Sequence, residues 1–314
     1  MGITEDNRIV IKICEMYYIN NVSQKEISAE LGISRPQISR ILQYARTNKL
    51  ISIELNNPFA EESKYERRLV ETYGLKDAMV FLQKSPCGTE EQLREFGVEV
   101  AAHLHAYIAD NDCVGVMSGR TVSSAIYAIK KLARSGLEIV PLVGGIMSTG
   151  SHYHANSIAQ KLAEVSGGKY CILNAPIIMH HEQSRDMLLR ESQISSILQK
   201  GTQCDVAIVG IGDMNSDQIN ILGGALTDED IEQLREAGAV SSVCISFFDK
   251  KGTLLTTEIE RRCIGQSLKD LKKARIIALA AGRSKVEAIQ AALRGGEIDI
   301  FMTNLDTATA ILDG

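Results

Sequence analysis

Apolar positions in the first fifth of the chain recur at helical spacing. Val10, Ile13, Cys14 and Tyr17 stand at i, i+3, i+4 and i+7, which predicts one apolar stripe on a helix from about Asn7 to Ile19. Ser23-Gln24-Lys25-Glu26 has capping-box spacing, Ile27 and Leu31 follow on one face, and Gly32 supplies a tight turn. Ser34-Arg35-Pro36-Gln37 opens another helix with a serine cap and proline in its first turn, and its inward face is Ile38, Ile41 and Leu42. Helix, short glycine turn, helix is the helix-turn-helix layout. Leu50 to Leu55 alternates apolar and polar residues, the pattern of a wing strand.

Asn56-Asn57-Pro58 breaks this pattern, and a polar stretch with apolar positions only at Tyr65, Leu69 and Tyr73 reads as a connector helix ending at Gly74. Beyond it, short β-like runs at 78–82, 113–117, 139–143, 170–173, 205–209, 276–280 and 298–302 alternate with helical runs. Those helical runs are one capped by Thr89 and Gln92, then 122–132, 154–165, 285–293 and one from Asp306. Strands alternating with helices of this length predict a mostly parallel sheet covered on both faces. The expected class is α/β: a winged helix-turn-helix domain at 1–56, a connector helix at 57–76, and a Rossmann-like α/β ligand domain at 77–314. The 314 residues are long enough for about two domains, each with its own core.

Composition narrows the function classes. The net charge is -5, with 45% hydrophobic residues, so disorder is not expected. The longest strongly apolar run, 276–281, falls far short of a membrane span, which needs ~20 residues. The start MGITEDNR lacks the features of a secretory signal, so a cytoplasmic location is expected. Seven cysteines (Cys14, Cys87, Cys113, Cys171, Cys204, Cys244 and Cys263) are scattered and odd in number, which reads as reduced thiols. The acidic balance hides one basic patch: Arg35, Arg40, Arg46 and Lys49 fall in a stretch with no acidic residue.

That patch coincides with the second helix of the motif. A helix entering the major groove reads bases with its first turns, where Arg35, Gln37, Ser39 and Arg40 stand after the Ser34 cap. Arginine suits guanine and glutamine suits adenine. Gln24, Lys25, Tyr44, Arg46 and Lys49 are placed for phosphates, which set position rather than sequence. A small helical bundle docking onto protein is the alternative reading. In the second domain, Ser118-Gly119-Arg120-Thr121 and Gly282-Arg283-Ser284-Lys285 each follow a strand and start a helix, and such loops can hold an anion. The plainer reading is that these glycines close turns; two basic loops at one sheet edge favour an anionic small ligand. Neither loop matches a dinucleotide or P-loop fingerprint, so no nucleotide cofactor is indicated.

The six histidines come in pairs, His103/His105, His152/His154 and His180/His181. Positions i and i+2 on a helix diverge, so His103 and His105 do not share an ion; His152 and His154 suit hydrogen bonds to a ligand, and no metal is expected. Asp213, Asp228 and Asp249 fall near strand ends without a pairing that suggests acid–base chemistry, and Lys285 beside Arg283 reads as an anion clamp. No catalytic residue is assigned.

The run YYINNVSQKEISAELGISRPQISRILQYARTNKLISIEL resembles the DNA-binding module of the SorC/DeoR-type sugar-responsive transcriptional regulators. The resemblance continues through VGVMSGRTV, PLVGGI, HANSIAQKLA, NAPIIM, DVAIVGIG, FFDKKGTLLT, RRCIGQSLKDL and AALRGGEIDIFMTNLDTATAIL, and so covers nearly the whole chain. It implies an effector domain similar to the phosphosugar isomerases but without their catalytic machinery, regulating a carbohydrate-catabolism operon. It also implies operator DNA and a sugar, polyol or sugar-phosphate effector as partners, and a homodimer or homotetramer. Effector contacts are implied at Gly119, Arg120, Thr121, Gly144, Gly145, Arg262 and Lys285 and near Gly210 and Gly212; the loop chemistry adds Ser118, His154, Ser242 and Arg283 as expected contacts. The chain departs from the family pattern at Ser241-Ser242, where many members have Gly-Asp, at Arg283 and at Asn304. Val143 stands where some members place lysine, which excludes an imine at that position. An isomerase-like enzyme carrying a DNA-binding module is the alternative function, and a metal- or redox-responsive regulator is the third.

Overall fold

The computed structural model describes residues 7–54, 56–85, 89–145, 151–214 and 226–314; Leu55 and Cys87 lie outside them. The chain divides into two compact units, Met1–Pro58 and Phe59–Gly314.

The first unit is helical. Helix α1 (Asn7–Cys14) continues as a π-helical turn (Glu15–Ile19), followed by α2 (Gln24–Leu31) and α3 (Arg35–Thr47). The capping box of α2 is formed as its spacing requires: Ser23 N–H donates to Glu26 Oε2 at 3.0 Å, and Glu26 N–H donates to Ser23 Oγ at 3.3 Å. Gly32, at φ +64°, ends α2 in the left-handed conformation. Val10, Ile13, Cys14, Met16, Ile27, Ile38, Ile41, Leu42 and Ala45 form the core. The expected α-helical stripe is altered by the π turn, which buries Met16 and leaves Tyr17 half-buried. The wing strand is a correction: residues 50–54 form no strand. Alternation alone does not hold a strand, which needs a partner for its N–H and C=O groups. Leu50 and Ile51 instead pack against the helical core.

The second unit begins with α4 (Ala60–Tyr73), the helix expected as a connector. It is part of this unit's core: Tyr65 and Leu69 are buried, and the Tyr65 hydroxyl donates to Asp313 at 2.8 Å. There follow β1 (Asp77–Phe81), α5 (Glu90–His103), β2 (Cys113–Val116), α6 (Arg120–Ala128), β3 (Glu138–Pro141), α7 (Ala155–Ser166) and β4 (Lys169–Tyr170). Next come α8 (Glu182–Leu189), α9 (Ser192–Gly201), β5 (Val206–Gly210), β6 (Gly212–Asp213), α10 (Asp228–Glu236), β7 (Ala239–Val243), β8 (Ser246–Asp249) and α11 (Glu258–Arg262). The chain closes with β9 (Arg275–Leu279), α12 (Val286–Arg294), β10 (Ile300–Asn304) and α13 (Leu305–Asp313).

Seven strands form one parallel sheet in the order β1-β10-β9-β5-β2-β3-β4. One face is covered by α5, α6 and α7 through Phe96, Val122, Ile126 and Ile158; the other carries α4, α12 and α13. A second sheet, β6-β7-β8, is antiparallel. From β2 the chain steps outward through β3 to β4, then returns to place β5 on the other side of β2. The switch point therefore lies between β2 and β5, where an open parallel sheet forms its ligand crevice at the carboxyl ends. No helix among the described residues is long and apolar enough to cross a membrane.

Candidate functional site

Burial of Ile38, Ile41, Leu42 and Ala45 turns the opposite side of α3 outward. Pro36, Ser39, Arg40, Gln43 and Thr47 are exposed there, at i, i+3, i+4, i+7 and i+11. The expected Ser39 and Arg40 are on this exposed face, and so is Gln43, three residues beyond Arg40 and not among the expected residues. Arg35 is exposed at the helix start. Gln37 acts locally, since its Oε1 accepts hydrogen bonds from the Ser34 N–H at 3.2 Å and the Ser34 hydroxyl at 2.8 Å, so both residues cap α3. In the first turn of α2, Lys25 is exposed and Gln24 half-buried. Tyr44 packs against the core. Lys49 is exposed in a left-handed turn at φ +54°. Arg46 is exposed, and its Nε donates to the Tyr18 hydroxyl at 2.8 Å.

In the second unit the strand-to-helix loops gather at the carboxyl edge. After β2, Gly119 (φ +144°) caps α6 with no side chain, in a conformation that L side chains rarely adopt. The first helical bond runs from Ser123 N–H to Gly119 O at 2.9 Å, so the N–H groups of Arg120, Thr121 and Val122 precede the ladder. Residues 152 and 153 brace this start: Gly119 N–H donates to Tyr153 O and Ser123 Oγ to His152 O, each at 2.9 Å. Ser118 is half-buried and Thr121 buried. Arg120 is exposed and pairs with Glu90 at 3.2 Å.

After β9, Gly282 (φ +123°) turns the chain into a short 3-10 segment, Arg283–Lys285, ahead of α12. Its N–H donates to Thr307 Oγ1 at 2.8 Å, which ties this loop to the first turn of α13. Asn304, at the end of β10, caps α13 by accepting from Thr307 N–H at 3.0 Å. Arg283 is exposed. Lys285 is different: it is half-buried, and its ammonium donates to Ile211 O at 3.1 Å, between Gly210 and Gly212. Burial pushes this ammonium below its ordinary value, Asp213 opposes that shift and Arg120 adds to it. Arg120, Lys285 and Asp213 thus share one electrostatic neighbourhood at the switch point. Asp213, absent from the expected site residues, sits on β6 directly after Gly212.

Other expected contacts have structural duties. Gly144 N–H donates to Ile264 O and Gly145 N–H to Ala175 O, each at 2.9 Å, so neither amide is a free anion donor. A Cβ on Gly144 would lie 2.5 Å from Pro176 O; close backbone approach explains this glycine. A Cβ on Gly145 would lie 3.6 Å from His154 Nδ1. His154 caps α7 by backbone alone, and its Nε2 is buried without a hydrogen-bond partner among the described residues. Ser242 is buried with its hydroxyl over Gly212.

Arg262 is engaged by Asp230, and its Nη1 donates to Met179 O at 3.4 Å. Asp230 also accepts from Thr227 N–H at 3.0 Å. Desolvation raises the Asp230 pKa, but the hydrogen bonds of Thr227 and Arg262 outweigh it and hold the carboxyl below its usual value. Arg262 is therefore a structural cation here, because this carboxylate already neutralises it.

His103 packs on Phe81 and contacts Glu99 O at 2.8 Å through Nδ1, and His152 stacks near Tyr153. No group of three or more His, Cys, Asp or Glu among the described residues could hold a metal ion.

Residues 57–313 match the family model Sugar-bind, a sugar-binding domain. The chain is 30% identical to the deoxyribonucleoside regulator of Bacillus subtilis (strain 168) over 98% of either chain. The full-length sorbitol operon regulator SorC from Klebsiella pneumoniae superposes with a TM-score of 0.74 at 27% identity, covering 98% of this chain and 99% of that one. A DeoR family transcriptional regulator from Listeria monocytogenes superposes with a TM-score of 0.73 at 30% identity over 80% of this chain and 99% of its own. These relatives are regulators, not enzymes, and the isomerase-like alternative falls with them. The chain belongs to the SorC/DeoR-type family of sugar-binding transcriptional regulators.

Proposed function

We propose that this regulator binds operator DNA through its first unit, at about residues 1–56. We further propose that a sugar, polyol or sugar-phosphate effector in the second unit sets its affinity. The partly desolvated ammonium of Lys285, held on Ile211 O beside the switch point, carries this reading. Burying a cation costs free energy, and an anionic group placed between Lys285, Arg120 and the leading N–H groups of α6 would offset that cost. His154 Nε2, the hydroxyls of Ser118 and Thr121, and the Gly210–Gly212 backbone suit sugar hydroxyls. The names of two relatives refer to deoxyribonucleosides and sorbitol, polyhydroxy compounds that suit the hydroxyl-binding groups of such a crevice.

In the first unit, Arg35, Ser39, Arg40 and Gln43 read bases, while Lys25, Arg46 and Lys49 hold phosphates. A homodimer or homotetramer in the cytoplasm completes the reading, because half-sites one helical turn apart need paired recognition helices. Fluorescence anisotropy of a duplex from upstream of its own gene, with and without a panel of sugars, polyols and their phosphates, tests this. One compound shifting the dissociation constant supports the reading; tight binding that no carbohydrate changes counts against it.

A further inference from the structure

Arg46, near the end of α3, is held by a side chain distant in sequence. Its Nε donates to the Tyr18 hydroxyl at 2.8 Å, across 28 residues of sequence, while the guanidinium remains exposed. Its Cζ is 5.6 Å from the Tyr18 ring centroid, near the outer limit of a cation–π contact, so the hydroxyl does most of the holding. The tyrosine is fixed in turn. The Tyr17 ring meets it edge-on, with centroids 4.9 Å apart and planes at 88°. Both tyrosines lie on the π-helical turn Glu15–Ile19, whose Asn20 N–H reaches back to Glu15 O at 3.0 Å. A π turn holds more residues than an α turn, and such turns recur at functional sites. This one buries Met16 and leaves Tyr17 and Tyr18 half-buried on the flank of the core.

We propose that Tyr18 is a positioning residue that holds Arg46 against the DNA backbone, with Nη1 and Nη2 directed at one phosphate. This rests on the reading of the first unit as the DNA-binding module. An exposed arginine ordinarily loses side-chain entropy when it grips a phosphate. Here the Nε contact restrains the fork in the free protein and leaves its two terminal nitrogens for the ligand, the geometry arginine uses for bidentate phosphate binding. The recognised group is a duplex phosphate, so the effect is independent of base sequence.

The test uses the full chain and a 30-base-pair duplex of random sequence, with dissociation constants measured across a salt series. Arg46→Gln is expected to lower the log–log salt slope by about 0.9, one phosphate contact. Tyr18→Phe is expected to weaken binding about threefold to tenfold, the range for one hydrogen bond, in the parent chain. In the Arg46→Gln background it should change nothing, whereas Arg46→Lys should keep the slope. Circular dichroism melts confirm that each variant is folded at the assay temperature. A Tyr18→Phe loss of equal size in both backgrounds, or an unchanged slope in Arg46→Gln, overturns the proposal while the DNA-binding reading stands. A parent chain that binds the duplex without salt dependence overturns both.

Discussion

The Lys285 ammonium donates to the carbonyl oxygen of Ile211 at 3.1 Å, joining the loop after β9 to the one after β5. The two loops are adjacent because their strands are neighbours in the parallel sheet. A charge held there has one neutral acceptor and an acidic neighbour, Asp213, offset by the nearby Arg120. Such an arrangement costs stability in the empty protein and favours an anionic ligand.

Removing that charge should therefore stabilise the empty protein. Lys285→Gln is expected to raise the melting temperature by about 2–4 °C, the equivalent of roughly 1 kcal/mol. The pH dependence has a definite sign. The folded-state value lies below the ordinary 10.5, so the unfolded chain binds the proton more tightly. Stability should rise with pH between the lowered value and 10.5, and Lys285→Gln should flatten that rise. Calorimetric melts from neutral to alkaline pH check both.

The Arg262–Asp230 pair should behave as a structural element. Asp230→Asn removes the charge that neutralises a half-buried guanidinium and weakens the start of α10, at an expected cost of about 2–3 kcal/mol. The Asp230 carboxyl is depressed below 3.8, so its contribution is complete above that value and is lost as pH falls through its folded value. Urea unfolding of parent and variant at neutral and acidic pH should converge at the acidic end.

The paired glycines after β3 should differ. Gly144→Ala sets a Cβ 2.5 Å from the Pro176 carbonyl oxygen and is expected to cost about 1–3 kcal/mol. Gly145→Ala makes an ordinary contact with His154, so its stability should stay within about 0.5 kcal/mol of the parent. Equal losses in denaturant melts would refute the assignment of Gly144 to backbone packing.

On α3, Arg40→Ala and Gln43→Ala should each weaken operator binding by about 1–3 kcal/mol and relax specificity at one base pair. Gln37→Ala should act through helix stability, because its oxygen caps the helix. Anisotropy titrations with single-base operator variants separate the two behaviours: operator binding unchanged in Arg40→Ala would remove α3 as the reading helix.

What the sequence revealed follows from where its signals were local. The strands β2 and β5 are continuous apolar runs, β9 and β10 are apolar at 276–279 and 300–302, and both basic loops stand directly after such runs, so the sheet edge was readable. The hairpin of β7 and β8 was not. Its two-residue turn is Cys244-Ile245, with Cys244 at φ +53° and both residues buried, where a glycine or asparagine would ordinarily mark the reversal. The wing was misread because alternation at 50–55 does not say whether a partner strand exists. Asp230 is 32 residues from Arg262, and Thr307 is 25 from Gly282; no spacing rule connects them. Tyr18 and Arg46 met only once the π turn was visible.

An anionic carbohydrate site built on Lys285 is the centre of this functional reading. The most direct measurement is thermal stability of the full chain and of Lys285→Gln against sugars, polyols and their phosphate esters. A ligand at ~100 times its dissociation constant adds about 2.7 kcal/mol. The expected result is a rise of several degrees with a phosphate ester, none with its parent sugar, and none with either in Lys285→Gln. A rise with the unphosphorylated compound alone, or one that survives in Lys285→Gln, would contradict a site built on this lysine.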